Sequence, residues 1–229
     1  MPNVKPKVQL WTRMFWIFVI VAIILCVVLE CFILRRKNAD GFSRQVFRVK
    51  KIGDMQQIAK FRIFASDYQF YICDPDRATN ESEMFGAVMN LTQADHERGW
   101  TRTSSTITCF TIEDRNNHRI DIFVGKEYDG HNDATRVLCQ TLNLSKGRLD
   151  IFCGPFPDEV EIHVPPGDYS IYVRGFNFGV GTEKRIENNE EFLARSDMER
   201  YEIVLVPGKA AKEGIVFGPE KLYDIITTP

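Results

Sequence analysis

The chain lacks most of the spacings by which a sequence announces chemistry. Its six cysteines form no C-x-x-C pair. Its four histidines, His96, His118, His131 and His163, form no H-x-x-x-H or H-E-x-x-H, which removes zinc sites of ordinary spacing. No G-x-S-x-G elbow surrounds a serine, and Ser104-Ser105 has no His or Asp close by, so a serine hydrolase is not indicated. Gly179-Val-Gly181 lacks the third glycine and following helix of a dinucleotide fingerprint, and Gly208-Lys209 lacks the spaced upstream glycine of a phosphate loop. Two acidic loops, Asp74/Asp76 and Asp129/His131/Asp133, lack EF-hand ligand order; Asp populates loops because it makes turns. No metal or other cofactor is expected. Internal repeats and low-complexity tracts are missing, and so are long amphipathic helical patterns, which excludes alternating βαβ units.

The chain does contain one long apolar run, residues 14–34, whose only ionisable carboxylate is Glu30 near its end. A helix rises ~1.5 Å per residue, so this length spans a hydrocarbon core of ~30 Å. A cleaved signal peptide would need a shorter run and a small-residue cleavage site, whereas this one continues into Leu34-Arg35-Arg36-Lys37. The expectation is one N-terminal transmembrane helix over 14–34, a basic tail over 1–13 and a basic juxtamembrane connection over 35–60. Three Lys/Arg precede the run and seven follow it by residue 51, which places a single-pass protein with its C-terminal domain in the cytoplasm.

Charge divides along the chain. Of 29 Lys/Arg and 31 Asp/Glu, residues 1–51 hold ten and two, leaving 19 and 29 beyond, a net of −10. The basic collar suits anionic headgroups, and the lipid bilayer is the partner of residues 14–34. The acidic remainder suits a basic protein and not nucleic acid. The segment 182–199 gives that charge a place to concentrate, and Glu187, Glu190, Glu191, Asp197 and Glu199 are the candidate partner-binding residues. The competing reading of this segment is a solvated surface loop.

From Phe61 onward the apolar period is two. Runs at 61–66, 68–73, 107–113, 119–124, 137–144, 148–153, 159–164, 169–173 and 201–206 are rich in β-branched and aromatic residues and separated by turn residues. Residues 107–124 read as a hairpin, and Val160, Ile162 and Val164 fall on one face with His163 opposite. Pro165-Pro-Gly-Asp168 reads as a turn needing positive φ at Gly167. Short helical turns are expected at 93–98 and 190–195, and a further strand at 45–50. With 44% hydrophobic and 26% charged residues, the chain has the composition of a folded protein. The fold class expected is mainly β, an antiparallel β-sandwich or open barrel over 61–229.

Several of these residues carry a family resemblance. Tyr68-Gln-Phe, then Thr92-Gln-Ala-Asp-His-Glu-Arg-Gly-Trp100, Ile107-Thr-Cys-Phe, Ile120-Asp-Ile-Phe and Val164-Pro-Pro-Gly-Asp-Tyr169, together resemble the bacterial competence protein J family of small β-rich inhibitors of a DNA-entry nuclease. The resemblance covers roughly residues 61–176. It implies the β fold and an inhibitory, non-enzymatic role; it assigns no binding residue. The apolar run and the tail after Gly179 depart from the small inhibitors. The function expected is a membrane-anchored protein-binding domain, of inhibitor or immunity type. The alternatives are a structural envelope protein displaying a β-domain and a hydrolase with an unrecognised site.

Overall fold

The structure, a computed structural model, describes residues 45–65, 68–78, 91–112, 116–153, 156–181, 186, 188–222 and 224–227. The expected transmembrane helix at 14–34 lies outside the described residues. Among the described residues, no helix is long and apolar enough to cross a membrane. The chain divides after Ser43, and the described residues fall in the unit Arg44–Pro229.

The strands in chain order are β1 (Gln45–Arg48), β2 (Gln56–Ala65), β3 (Gln69–Cys73), β4 (Trp100–Arg102), β5 (Thr106–Phe110) and β6 (Asn116–Val124). They continue with β7 (Arg136–Leu144), β8 (Arg148–Cys153), β9 (Phe156–His163), β10 (Gly167–Phe176), β11 (Arg200–Pro207) and β12 (Gly214–Phe217). Among the described residues three short helices, α1 (Gln93–Arg98), α2 (Asn189–Ala194) and α3 (Asp224–Thr227), decorate them. The strands form two six-stranded sheets, β1-β9-β8-β3-β5-β4 and β12-β7-β10-β11-β6-β2. The pairing is antiparallel except for β1 with β9 and β11 with β6, which run parallel. The strand expected at 45–50 is β1, and β2 begins at Gln56, five residues before the change of period at Phe61, so its first half comes from the stretch read as a connection.

Alternation builds the core. Ile63, Ile72, Ile107, Ile120, Ile122, Ile151, Ile162, Ile171, Ile203 and Leu205 are wholly buried in one cluster between the sheets. Each such side chain contributes about 1.5–3 kcal/mol relative to exposure. Val160, Ile162 and Val164 face inward as their spacing predicts, and His163 lies half-exposed against Glu161. The expected 107–124 hairpin does not form. β5 pairs with β3 and β4 in the first sheet, while β6 pairs with β2 and β11 in the second. Period-two residues identify strands but not their partners, and here the chain crosses between layers.

The chain crosses between layers again at both ends of the β7–β8 and β9–β10 connections. After β7, Gly147 takes φ 69° and its N–H donates to the Leu144 carbonyl at 3.0 Å. Its own carbonyl accepts from Val164 N–H at 2.8 Å, tying the corner to the end of β9. A Cβ at Gly147 would stand 2.0 Å from the Val164 carbonyl oxygen. Gly167 has φ 152°, positive as the turn requires, but open space where a Cβ would point. Tyr169 closes that turn by donating its hydroxyl to the Pro165 carbonyl at 2.6 Å; burial pushes the phenol up to about 12.

The two glycines should therefore respond differently. Gly147→Ala meets both positive φ and backbone contact, and should cost about 2–3 kcal/mol or more in urea unfolding; Gly167→Val meets strain alone and should cost about 1 kcal/mol. Equal losses would show that the Val164 contact does not hold the corner.

Candidate interaction surfaces

The charged segment before β11 is fastened to the second sheet from several directions. Asn188 caps α2, its side-chain oxygen accepting from Glu190 N–H at 2.9 Å and Glu191 N–H at 3.2 Å. Glu190 and Glu191 then occupy the first turn, where carboxylates suit the positive end of the helix dipole. Phe192, at 1% exposure, is the buried residue of the helix, and the Arg62 guanidinium lies 4.5 Å over its ring. Arg62 donates on to the Ile186 carbonyl at 2.9 Å, and Arg119 donates to the Arg195 carbonyl at 2.7 Å.

The five candidate carboxylates have different fates. Glu190 and Glu191 are exposed. Asp197 is exposed but held in a two-bond fork by Arg195, at 2.7 and 2.5 Å; that hydrogen bonding keeps its carboxyl below the usual range. Glu187 lies outside the described residues. Glu199 is the correction: it is 1% exposed and belongs to the interior. Its Oε1 accepts from Ile112 N–H at 3.0 Å and from the Tyr201 hydroxyl, and its Oε2 accepts from Gly179 N–H at 3.0 Å. Burial first, and the Glu199 charge second, push the Tyr201 phenol far up. A buried carboxylate is tolerated when donors surround it, and these donors come from three separate segments. Composition alone put Glu199 in the surface run. Its place immediately before the buried Tyr201 strand is the signal that it turns inward.

Two buried arginines escaped the sequence reading. Arg174, at 1% exposure on β10, donates to Glu202 at 3.2 Å and pairs with Asp129, with its guanidinium 4.8 Å over the Tyr128 ring. It clamps the 128–131 loop on the outer face of the second sheet. Arg119 pairs with Asp121 at 2.6 Å and Arg200 with Glu202 at 2.9 Å on the same face, so the buried charges there balance. Arg136 has carbonyl partners instead: Pro219 at 2.8 Å, Glu220 at 2.7 Å and Arg98. Burial lowers its pKa to about 10, which leaves it charged at neutral pH and joins the C-terminal segment to α1.

The remaining chemistry-bearing residues are dispersed. Asp76 pairs with Lys146 at 2.9 Å, while Asp129 pairs with Arg174, so the two acidic loops each engage their own cation. Among the described residues no group of three or more His, Cys, Asp or Glu is placed to hold a metal ion. His96 stacks on Phe110 at 5.6 Å, His131 on Phe217 at 4.4 Å, His118 lies edge-on to Tyr201 at 5.9 Å, and His163 pairs with Glu161. Cys73, Cys109, Cys139 and Cys153 are buried thiols. Burial pushes Cys73 and Cys139 up to about 11 and Cys109 to about 12, which keeps these three protonated at neutral pH.

Among the described residues, three concavities bear on the site. One between the sheets, lined by Trp100, Cys109, Arg136 and Tyr201 among others, has about 20 Å³, room for one water. Two open clefts share Asp168 at one end of the sandwich. One, of about 340 Å³, lies between Lys50, Lys51 and the 165–169 turn. The other, of about 410 Å³, lies between Arg77, Arg102, Ser104, Asn143, Lys209 and Glu213.

No protein-family profile matches the chain. The fold is similar to the crystal structure of ComJ from Bacillus subtilis, described as an inhibitor of the DNA-degrading activity of NucA, with TM-score 0.50 and 13% identity. That similarity covers 67% of this chain and 98% of ComJ. A second similar structure, described as crocagin biosynthetic gene J, has TM-score 0.44 and 14% identity over 68% of this chain and 99% of that one. The resemblance to the competence protein J family seen in the sequence is thus present in the fold.

The geometry separates Glu199 from the exposed carboxylates. Glu199→Ala strands two buried N–H groups and a hydroxyl, and should cost about 2–4 kcal/mol in denaturant unfolding. Glu190→Ala and Glu191→Ala should each change stability by less than about 1 kcal/mol, the cap remaining with Asn188. A neutral Glu199→Ala would place that carboxylate outside the interior network.

Proposed function

We propose that this protein is a membrane-anchored, non-enzymatic binding domain that sequesters a basic protein partner in the manner of an inhibitor or immunity factor. The observation that supports this best is the fold similarity extending over 98% of ComJ, a protein described as a nuclease inhibitor. The exposed carboxylates of α2 supply the contact chemistry: Glu190 and Glu191 stand on a helix pinned by Phe192 and Arg62, so the charge is presented on a fixed support. Glu187 adjoins them in sequence. Pre-organised charge of this kind speeds encounter with a cation-rich face and repels phosphate backbones.

Residues 14–34 hold the domain at the membrane, and the excess of Lys/Arg after them places it on the cytoplasmic side. Confinement to a thin layer raises its concentration near other membrane-bound proteins. Protease added outside intact cells should leave the domain whole; rapid cleavage from outside would reverse the topology.

The binding test uses the full chain in detergent or nanodiscs and the partner it retains. Association should slow by roughly tenfold or more as salt rises from low to high, because screening shortens to ~3 Å at 1 M. Reversing charge at Glu187, Glu190 and Glu191 should lower the association rate more than it raises the dissociation rate. Affinity indifferent to both salt and these substitutions would reduce the α2 surface to a solvated loop.

A further inference from the structure

The strand ends opposite α1 and α2 collect a different charge. The turn between β1 and β2 carries Lys50 and Lys51, the last residues of the basic collar. Pairing brings four other turns to the same end. Lys126 N–H donates to the Gly53 carbonyl at 2.9 Å, joining the end of β6 to this turn. Gly208 N–H donates to the Asp168 carbonyl at 2.7 Å, joining the end of β11 to the start of β10. Asp74 N–H donates to the Ser105 carbonyl at 2.8 Å, and Val164 N–H to the Gly147 carbonyl at 2.8 Å, placing the ends of β3 and β9 there too.

The exposed cations assembled this way include Lys50, Lys51, Arg77, Lys126, Lys209 and Lys212. All but Lys209 are without an ion-pair partner among the described residues; Lys209 stands 3.7 Å from Asp168. Most acids of this end are occupied. Asp76 pairs with Lys146 at 2.9 Å, Glu213 with Arg102 at 2.9 Å, and Asp168 accepts from Asn143 at 2.7 Å. Asp54 and Glu127 are the exposed carboxylates here without a cation partner among the described residues. A cationic end on a region of net charge −10 is an arrangement of the fold, since composition would make that end acidic.

We infer that this end of the sandwich rests on anionic lipid headgroups, with the cleft between Lys50, Lys51 and the 165–169 turn receiving a headgroup phosphate. The inference rests on residues 14–34 being the anchor. Ten residues, 35–44, separate that run from β1. Fully extended they reach about 33–36 Å, so the domain stays near the surface and its charge distribution decides which side faces it. An anionic leaflet attracts cations within a Debye length of ~8 Å and repels the end carrying Glu190 and Glu191. The cleft of about 340 Å³ is lined by Lys50 and Lys51 and by Asp168, whose carboxylate Asn143 and Lys209 engage, and the exposed Pro166 and Pro207 at its rim present apolar surface to the headgroup layer. The orientation turns α2 away from the membrane.

The test is hydrogen exchange on the full chain in nanodiscs of phosphatidylcholine with and without phosphatidylserine. Amides in turns 50–55, 74–78, 125–127 and 208–213 should exchange several-fold more slowly in the anionic discs, with no change at 177–181 or 188–195. The quadruple variant Lys50→Gln, Lys51→Gln, Lys126→Gln and Lys212→Gln should abolish the difference. Equal exchange in both discs, with residues 14–34 strongly protected, would overturn the orientation and leave the anchor standing. Fast exchange across 14–34 in both discs would overturn the anchor and the orientation with it. Protection of the same turns by added duplex DNA but not by phosphatidylserine would overturn the lipid assignment in favour of nucleic acid.

Discussion

Everything in this fold depends on burying one period-two row of branched side chains between two sheets. Ile63, Ile120, Ile122, Ile171 and Ile203 of the second sheet meet Ile72, Ile107, Ile151 and Ile162 of the first, with essentially no exposure. That layer sets the register of every strand, because a one-residue slip would turn a whole row outward. It also forces the chain to cross between layers at tight corners, which is why Gly147 has no room for a side chain. The polar interior groups sit at the margins of this layer and satisfy backbone atoms left unpaired where strands end. Glu199 does so for the Ile112 and Gly179 amides, and Arg136 for the Arg98, Pro219 and Glu220 carbonyls.

Much of the fold was legible because it is written in local periodicity. The alternation at 159–164 and the capped turns at Gln93–Arg98 and Asn189–Ala194 appear where their patterns put them. Thr92 and Asp95 form a full capping box, an interaction of neighbours. Partnering was not legible, because it is non-local. β5 and β8 are buried almost throughout, so neither has an exposed face to reveal which sheet it joins. β12 is four residues long and framed by Gly214 and Gly218, too short for a pattern.

The candidate surface was legible in part. Charge density along 182–199 located an acidic segment, and two of its carboxylates stand exposed on α2. Counting charges could not separate these from Glu199, which is consumed inside, or Asp197, which is bound to Arg195. The cationic end was invisible in sequence for the opposite reason. Apart from the adjacent Lys50 and Lys51, its residues are scattered singly as far as Lys212 among more numerous acids, and only strand order gathers them. The result is a domain with two electrically distinct ends, one carrying exposed lysines without ion-pair partners among the described residues and the other the exposed carboxylates of α2.

Site-specific photocrosslinking in cells tests this two-ended account most directly. A crosslinking residue at Glu190 should yield one discrete protein adduct whose intensity falls in high salt, while the same residue at Lys212 should yield lipid adducts. Protein adducts at Lys212 together with none at Glu190 would contradict it.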